Sequence, residues 1–347
     1  MAGRRARRRP AASGAMTNTR VTIAEIAREA GVSEATVSKV LNGRTEVAPA
    51  TRERVQDLLD ARGYERRGTR VEERTGLIDL VISELNTPWS MDVLRGAEQE
   101  ARRAGAAVVV TSTEGRGDAS WLDTVTARRS DGVLLALAPL PPGGARRLTA
   151  AGIPFVLVDP VGGFDPAIPT VGVTNWAGAL AATEHLIGLG HRRIGVITGP
   201  PDLVCSQQRL EGYRAALGRA GLPLDDSLVR YGDFRPGGGT TAARALLDLP
   251  DPPTAIFAGS DLQATGVYTE AHRRGLRIPD QLSVVGFDDV ALCEWVSPAL
   301  TTVRQPLLEM ARLAIRTVLD PPGTDQPLRI ELSTSLITRE STAAPVS

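Results

Sequence analysis

Residues 22–42 read TIAEIAREAGVSEATVSKVLN. The spacing predicts two short helices joined by a tight turn. Thr22 and Glu25 stand as in a capping box, where a hydroxyl and a carboxylate each satisfy one orphan amide at a helix start. Ile23, Ile26, Ala27 and Ala30 recur at helical spacing and form one apolar stripe. Gly31 suits the left-handed corner that ends such a helix. Ser33 stands at the cap of the second helix, in which Val37, Val40 and Leu41 make the buried stripe. Ala35, Ser38, Lys39 and Asn42 share another face, small and polar with one cation. That face suits the major groove, its first residues on base edges and its hydroxyls and amides on phosphates. A solvated helical hairpin on a protein surface shows the same pattern.

Charge is distributed to match a phosphate-seeking end. The 347 residues carry 40 basic and 40 acidic side chains, but residues 1–74 hold 16 and 10 of them and the remainder 24 and 30. A neutral total therefore hides a basic headpiece and an acidic body. Lys39 is the only lysine, a bias that fits a GC-rich genome. Residues 1–15 are basic and lead to a second methionine, Met16, with no hydrophobic segment following, which argues against a secretory signal. Residues 1–19 are expected to be a disordered basic tail; for residues 1–15 the alternatives are an artefact of an upstream start codon and a basic arm that touches DNA. Cys205 and Cys293 are isolated and have no metal-ligand spacing, as in a reducing cytosol. No apolar run is long enough to cross a bilayer.

Beyond the two helices, Pro49 opens a third predicted helix over 50–62, its cap position filled by Ala48, a loss of about 1 kcal/mol against Ser. Residues 65–75, ERRGTRVEERT, read as a linker. From Gly76 the pattern changes. Short apolar runs (LIDLVIS 77–83, GVLLALA 132–138, RIGVITG 193–199, SVVGFDD 283–289 among them) alternate with helical stretches. Two successive series of this kind predict two α/β subdomains with parallel sheets covered on both faces.

The headpiece motifs Val21-Thr22-Ile23, Ala30-Gly31-Val32-Ser33, Thr36-Val37-Ser38, Leu41-Asn42-Gly43 and Thr51-Arg52-Glu53-Arg54-Val55 resemble the LacI/GalR family of repressors. So do the body motifs Glu184-His185-Leu186, Arg209-Leu210-Glu211-Gly212-Tyr213, DQLSVVGFDD (280–289) and Leu336-Ile337-Thr338-Arg339-Glu340-Ser341. The resemblance spans about residues 20–342. It implies an all-α helix-turn-helix headpiece (20–64), a hinge linker (65–75) and an effector-binding and dimerisation domain (76–342) before a short tail (343–347). The domain would be two doubly wound parallel-sheet subdomains of the periplasmic-binding-protein-like type I fold. Their expected limits are about 76–173 with 306–333, and 175–304 with 334–342.

The resemblance also implies a function: a transcriptional regulator, most simply a repressor, whose hold on operator DNA is set by a small molecule in the cleft between the subdomains. A sugar or oligosaccharide is the expected effector. Expected partners are double-stranded operator DNA, that effector and a second copy of the chain. The chain ends soon after the last strand without a leucine heptad, so a dimer is expected and not a coiled-coil tetramer. The expected place is the cytoplasm, on the nucleoid, with no membrane contact and no cofactor or metal.

Positions matching Glu34, Ala35 and Lys39 read bases in the family. The DNA-contacting set expected here is Thr22, Ser33, Glu34, Ala35, Thr36, Ser38, Lys39 and Asn42, joined by Arg66 and Arg67 of the linker. The linker lacks the Leu wedge of the family and offers Val71 alone as an apolar candidate, so binding there is expected to be chiefly by charge. In the cleft the expected effector contacts are Trp89, Asp159, Arg209, Phe234, Asp261 and Asp288. The forked donors of Arg and the paired acceptors of carboxylates suit a polyhydroxylated ligand. Arg209, Asp288 and Phe234 match family pocket positions. Ordinary packing is the alternative for Phe234 and for Trp89. Ser260 replaces the family's usual Asn before Asp261. Asp289 reads as a structural cap.

Two other functions fit the body alone. A transport-type sugar-binding protein would have no headpiece. An enzyme on the same fold would need a catalytic grouping, and His185, His191 and His272 form none in sequence.

Overall fold

The computed structural model describes residues 22–41, 47–62, 75–113, 120–162, 167–321 and 328–346, with the backbone alone at Ile23, Leu41 and Asp60. The chain divides into two compact units, Met1–Glu73 and Arg74–Ser347.

The first unit packs three helices: α1 (Ile23–Ala30), α2 (Glu34–Leu41) and α3 (Pro49–Ala61). The capping box forms. Glu25 N–H donates to Thr22 Oγ1 at 3.3 Å, and Thr22 N–H donates back to Glu25 Oε2 at 2.7 Å. Gly31 ends α1 at φ 64°, a left-handed conformation that costs glycine little. Ile26, Ala27, Ala30, Val37, Val40, Val47, Val55 and Leu59 close one small core.

The second unit holds two six-stranded sheets. In the first, β1 (Leu77–Ile82), β2 (Ala107–Ser112), β3 (Gly132–Ala136), β4 (Phe155–Val158) and β5 (Thr170–Val173) are linked through α4 (Pro88–Arg103), α5 (Ser120–Arg128) and α6 (Gly144–Ala150). In the second, β6 (Ile194–Thr198), β7 (Val229–Tyr231), β8 (Ala255–Ala258), β9 (Ser283–Asp288) and β10 (Thr301–Arg304) are linked through α8 (Val204–Arg219), α9 (Pro236–Leu247) and α10 (Asp261–Arg273) after α7 (Asn175–Gly188). The chain then returns to the first sheet through α11 (Leu307–Leu319) and β11 (Arg329–Leu332), and ends on β12 (Ser335–Ile337) in the second. Spatial order is β2-β1-β3-β4-β5-β11 and β7-β6-β8-β9-β10-β12. Every pairing is parallel except β10 with β12.

Strands buried on both faces explain the continuous apolar runs in the sequence. Each sheet carries a core on either side. One face of the first packs Val93, Ala97, Met310, Ala314 and Ile315; the other packs Trp121, Leu122, Val125 and Leu148. Helix α11, which the strand-helix alternation did not reveal, carries Leu307, Met310, Ala311, Ala314, Ile315 and Val318 as one buried stripe.

In both sheets the strand order reverses at the first strand, between β1 and β3 and between β6 and β8, which opens a crevice outside the carboxyl ends. The chain passes between sheets at three places: β5 to α7, β10 to α11, and β11 to β12. The first and third crossings are fastened together. Thr334 N–H donates to Thr174 Oγ1 at 3.0 Å, and Thr334 Oγ1 donates to the Thr174 carbonyl at 3.1 Å. At the entry to the unit, Thr75 N–H and Gly76 N–H donate to the Asp131 carboxylate at 2.8 and 3.0 Å.

Candidate functional site

On the first unit the candidate surface is α2. Glu34, Ala35, Ser38 and Lys39 are exposed, while Val37 and Val40 on the opposite face are buried. Ser33 caps the helix: its hydroxyl accepts from Thr36 N–H at 3.2 Å and lies 2.9 Å from Thr36 Oγ1. Thr22 is exposed and engaged in the α1 capping box. The expected contacts Asn42, Arg66 and Arg67 lie outside the described residues. A capped helix with a polar, cation-bearing outer face can lie in a groove and present Glu34 and Ala35 from its first turn.

On the second unit the strand ends of both sheets face a cleft of about 460 Å³. Such a volume is usual for small-molecule sites, roughly 300–1,000 Å³. Trp89, Asp159, Arg209, Phe234 and Asp288, all marked in the sequence, line it together. Backbone strain gathers at the same place. Leu137, Asp159, Phe234 and Asp288, all lining residues, have φ of 47°, 47°, 62° and 124°. Non-glycine residues adopt positive φ at a cost, commonly where a site requires a fixed direction.

Arg209 is the centre of the cleft. Its Nε donates to Asn175 Oδ1 at 2.9 Å and its Nη1 to the Gly259 carbonyl at 2.5 Å. The guanidinium lies 3.8 Å from the centroid of Phe287 and 5.5 Å from that of Phe234. Its Nη1 is 3.9 Å from Asp288. Part of the Arg209 fork therefore holds the protein and is not open to a ligand. Phe234 is seated on Gly199, where an added Cβ would strike the ring.

Asp288 ends β9 and accepts from Gln305 Nε2 at 2.5 Å, at the second crossing. Burial pushes its carboxyl up, opposed by the nearby Arg209. Asp159 follows β4. Burial raises its carboxyl to about 6, against the pull of Arg209 and with a further push from Glu331. It makes no hydrogen bond through its carboxyl among the described residues. Below about pH 6 such a group is neutral and both donates and accepts.

Asp261 corrects another expectation. It is fully buried and lies outside the cleft lining. Its carboxylate accepts from Val290 N–H at 3.0 Å and from the Thr302 hydroxyl at 2.5 Å, so it stitches the strand ends from behind. Its neighbour Ser260 lines the cleft instead. Asp289, read as structural, accepts from Arg304 at 2.6 Å and Arg339 at 2.7 Å.

The structure adds residues that the sequence did not mark. Glu84, after β1, forms an ion pair with Arg235, before α9, and so joins the two subdomains at the cleft. Val161 and Leu203 add a backbone bridge between the same two halves. Asp202, Asp233 and Cys205 also line the cleft. Cys205 is buried, which lifts its thiol to about 11 and leaves it unreactive. The only sequence signal for these acids is their place just before predicted helices.

Comparison with known proteins supplies the family. Residues 22–66 match the bacterial regulatory proteins of the lacI family, and residues 183–342 match the periplasmic binding protein-like domain. The transcriptional repressor CytR of Escherichia coli is 35% identical over 311 residues, covering 87% of this chain and 90% of that protein. The regulator CelR of Thermobifida fusca is 36% identical over 338 residues, covering 93% and 98%. Among solved structures, a CelR–cellobiose complex aligns with a TM-score of 0.70 at 36% identity, over 93% of this chain and 100% of that one. The lac repressor dimer bound to operator and the anti-inducer ONPF aligns at 0.69 and 27%, over 93% and 99%.

Proposed function

The chain belongs to the lacI family of bacterial regulatory proteins, and on that premise we propose that it represses transcription from an operator it releases or grips according to a small carbohydrate in its cleft. The observation that carries the reading is the convergence of Arg209, Asp159, Asp288, Trp89 and Phe234 on one cavity at the strand ends. Forked donors, carboxyls and aromatic faces are the groups that hold hydroxyls and sugar rings. The cellobiose of the related CelR structure points to the same ligand class.

Bases are read by Glu34, Ala35 and Lys39. Ser33, Thr36, Ser38 and Asn42 hold phosphates, with Thr22 at the edge of the contact, and Arg66 and Arg67 add charge from the linker. Two copies of the chain bind one operator, as the lac repressor does in its complex. The work is done by binding and not by catalysis, in the cytoplasm. Among the described residues no helix is long and apolar enough to cross a membrane.

The test is fluorescence anisotropy of the full chain on its own upstream DNA, with and without mono- and disaccharides. Specific binding should exceed binding to scrambled DNA by about 10³ or more. At least one carbohydrate should change operator affinity, and operator should change its affinity by the same factor. Equal affinity for scrambled and upstream DNA would end the proposal.

A further inference from the structure

The cleft is rich in acids and poor in available cations. Glu84, Asp159, Asp202, Asp233 and Asp288 line it, against Arg209 and Arg235. Each arginine gives part of its fork to the protein, Arg209 to Asn175 and the Gly259 carbonyl, and Arg235 to Glu84.

A phosphate ester is held by cations or by the free N–H groups of a helix start. Among the described residues four helices begin at the cleft, and at α4 Thr87 Oγ1 accepts from Ser90 N–H at 3.1 Å. Before α9, Asp233 Oδ1 accepts from Arg235 N–H at 2.9 Å. At α10, Ser260 Oγ accepts from Gln263 N–H at 3.2 Å. The start of α8 has no side-chain cap, and Asp202, two residues before Val204, puts a carboxylate beside it in the cleft lining. What remains on offer suits hydroxyl groups: the unbonded carboxyl of Asp159, the carboxyl of Asp288 and the aromatic faces of Trp89 and Phe234.

We propose that the cleft selects uncharged polyhydroxylated ligands and rejects their phosphate esters, with Asp159 and Asp288 receiving hydroxyls and Asp202 and Asp233 repelling anions at the helix starts. The proposal rests on the carbohydrate reading above. A phosphate monoester carries close to two negative charges near neutral pH. Placed among these acids without a counter-charge, it should bind roughly 100-fold more weakly than its parent sugar, or weaker still.

Calorimetric titration of the full chain at pH 7.5 with cellobiose, maltose and the 6-phosphate of each, and with inorganic phosphate, tests this. The expected result is binding of at least one neutral disaccharide, a deficit of about 100-fold for its ester, and no competition from phosphate. An ester that binds as tightly as its parent overturns the inference and leaves the carbohydrate reading intact. Silence from every sugar and ester overturns both. The double substitution Asp202→Asn and Asp233→Asn should narrow the sugar-to-ester ratio about tenfold. A ratio unchanged in a double variant that melts as wild type assigns the exclusion to shape and removes the acids from the argument.

Discussion

Gln305 Nε2 donates to Asp288 Oδ1 at 2.5 Å, from the segment that carries the chain out of the second sheet and into the first. The carboxyl proposed to receive the effector is thus held by a residue of the crossing itself. Arg209 shows the same relation to the first crossing, through Asn175 at the start of α7. A ligand that draws on Arg209 or Asp288 therefore acts on residues bonded to the segments that join the two subdomains.

Gln305→Ala removes the donor and leaves Asp288 buried beside Arg209 alone. The loss should be about 1–3 kcal/mol, read as roughly ten- to a hundredfold weaker effector binding by calorimetry. Operator affinity without effector should stay within a few fold. Wild-type effector affinity in this variant would separate Gln305 from the site.

Arg209→Ala should abolish the response to effector and also lower the melting temperature. It leaves the Asn175 and Gly259 acceptors unmet and Asp288 without its nearby cation, a penalty of about 3–5 kcal/mol for breaking a buried pair. Arg209→Lys keeps the charge but not the fork, so the response should fail while stability falls less. Melting curves and operator binding with and without carbohydrate distinguish the two. A lysine variant that responds normally would show that charge alone suffices.

Asp159 gives a pH signature. With its carboxyl raised from 3.8 to about 6, the folded protein keeps a proton that the unfolded chain has released between those values. Its contribution therefore favours folding fully below about pH 3.8 and is lost as pH rises through 6. Asp159→Asn removes this titration, so the variant should be more stable than wild type at pH 7.5, by at most about 3 kcal/mol. The advantage should shrink toward pH 4. A difference in melting temperature that does not vary with pH would contradict the assignment.

In the headpiece, Glu34→Ala should relax preference at one base pair of each half-site by roughly 1–3 kcal/mol of discrimination, since a carboxylate accepts from cytosine and is repelled by phosphate. Binding-site selection from random DNA measures this. An unchanged selected site would remove Glu34 from base reading.

The fold class was legible because its determinants are local. Apolar runs such as VLLA (133–136) and AIFA (255–258) mark strands buried on both faces, and Thr22, Glu25 and Gly31 mark the ends of α1 within a few residues. The strand-end residues Asp159, Phe234 and Asp288 were legible for the same reason: the end of a run locates the carboxyl edge. Asp261 misled because direction is set from afar. Val290 and Thr302, 29 and 41 residues on, turn its carboxylate inward. The Glu84–Arg235 pair joins residues 151 apart, and no local pattern announces it. Arg209 reads as a cleft residue from its local motif, but its bonds to Asn175 and Gly259, 34 and 50 residues away, form only in the assembled sheets.

The fastened crossings limit what the second unit can do mechanically. Two bodies joined by one chain could tilt, twist and slide in any combination. Here Thr334 is bonded twice to Thr174, and β12 pairs with β10, so the three crossings form one linked bundle. Sliding one body past the other would tear these bonds, whereas rotation about an axis through the bundle preserves them. Rotation about that axis is the motion these bonds resist least. A bound molecule then has one favoured coordinate to move, and a substitution at Thr174 or Thr334 should change the stiffness of that coordinate before it changes where the cleft lies.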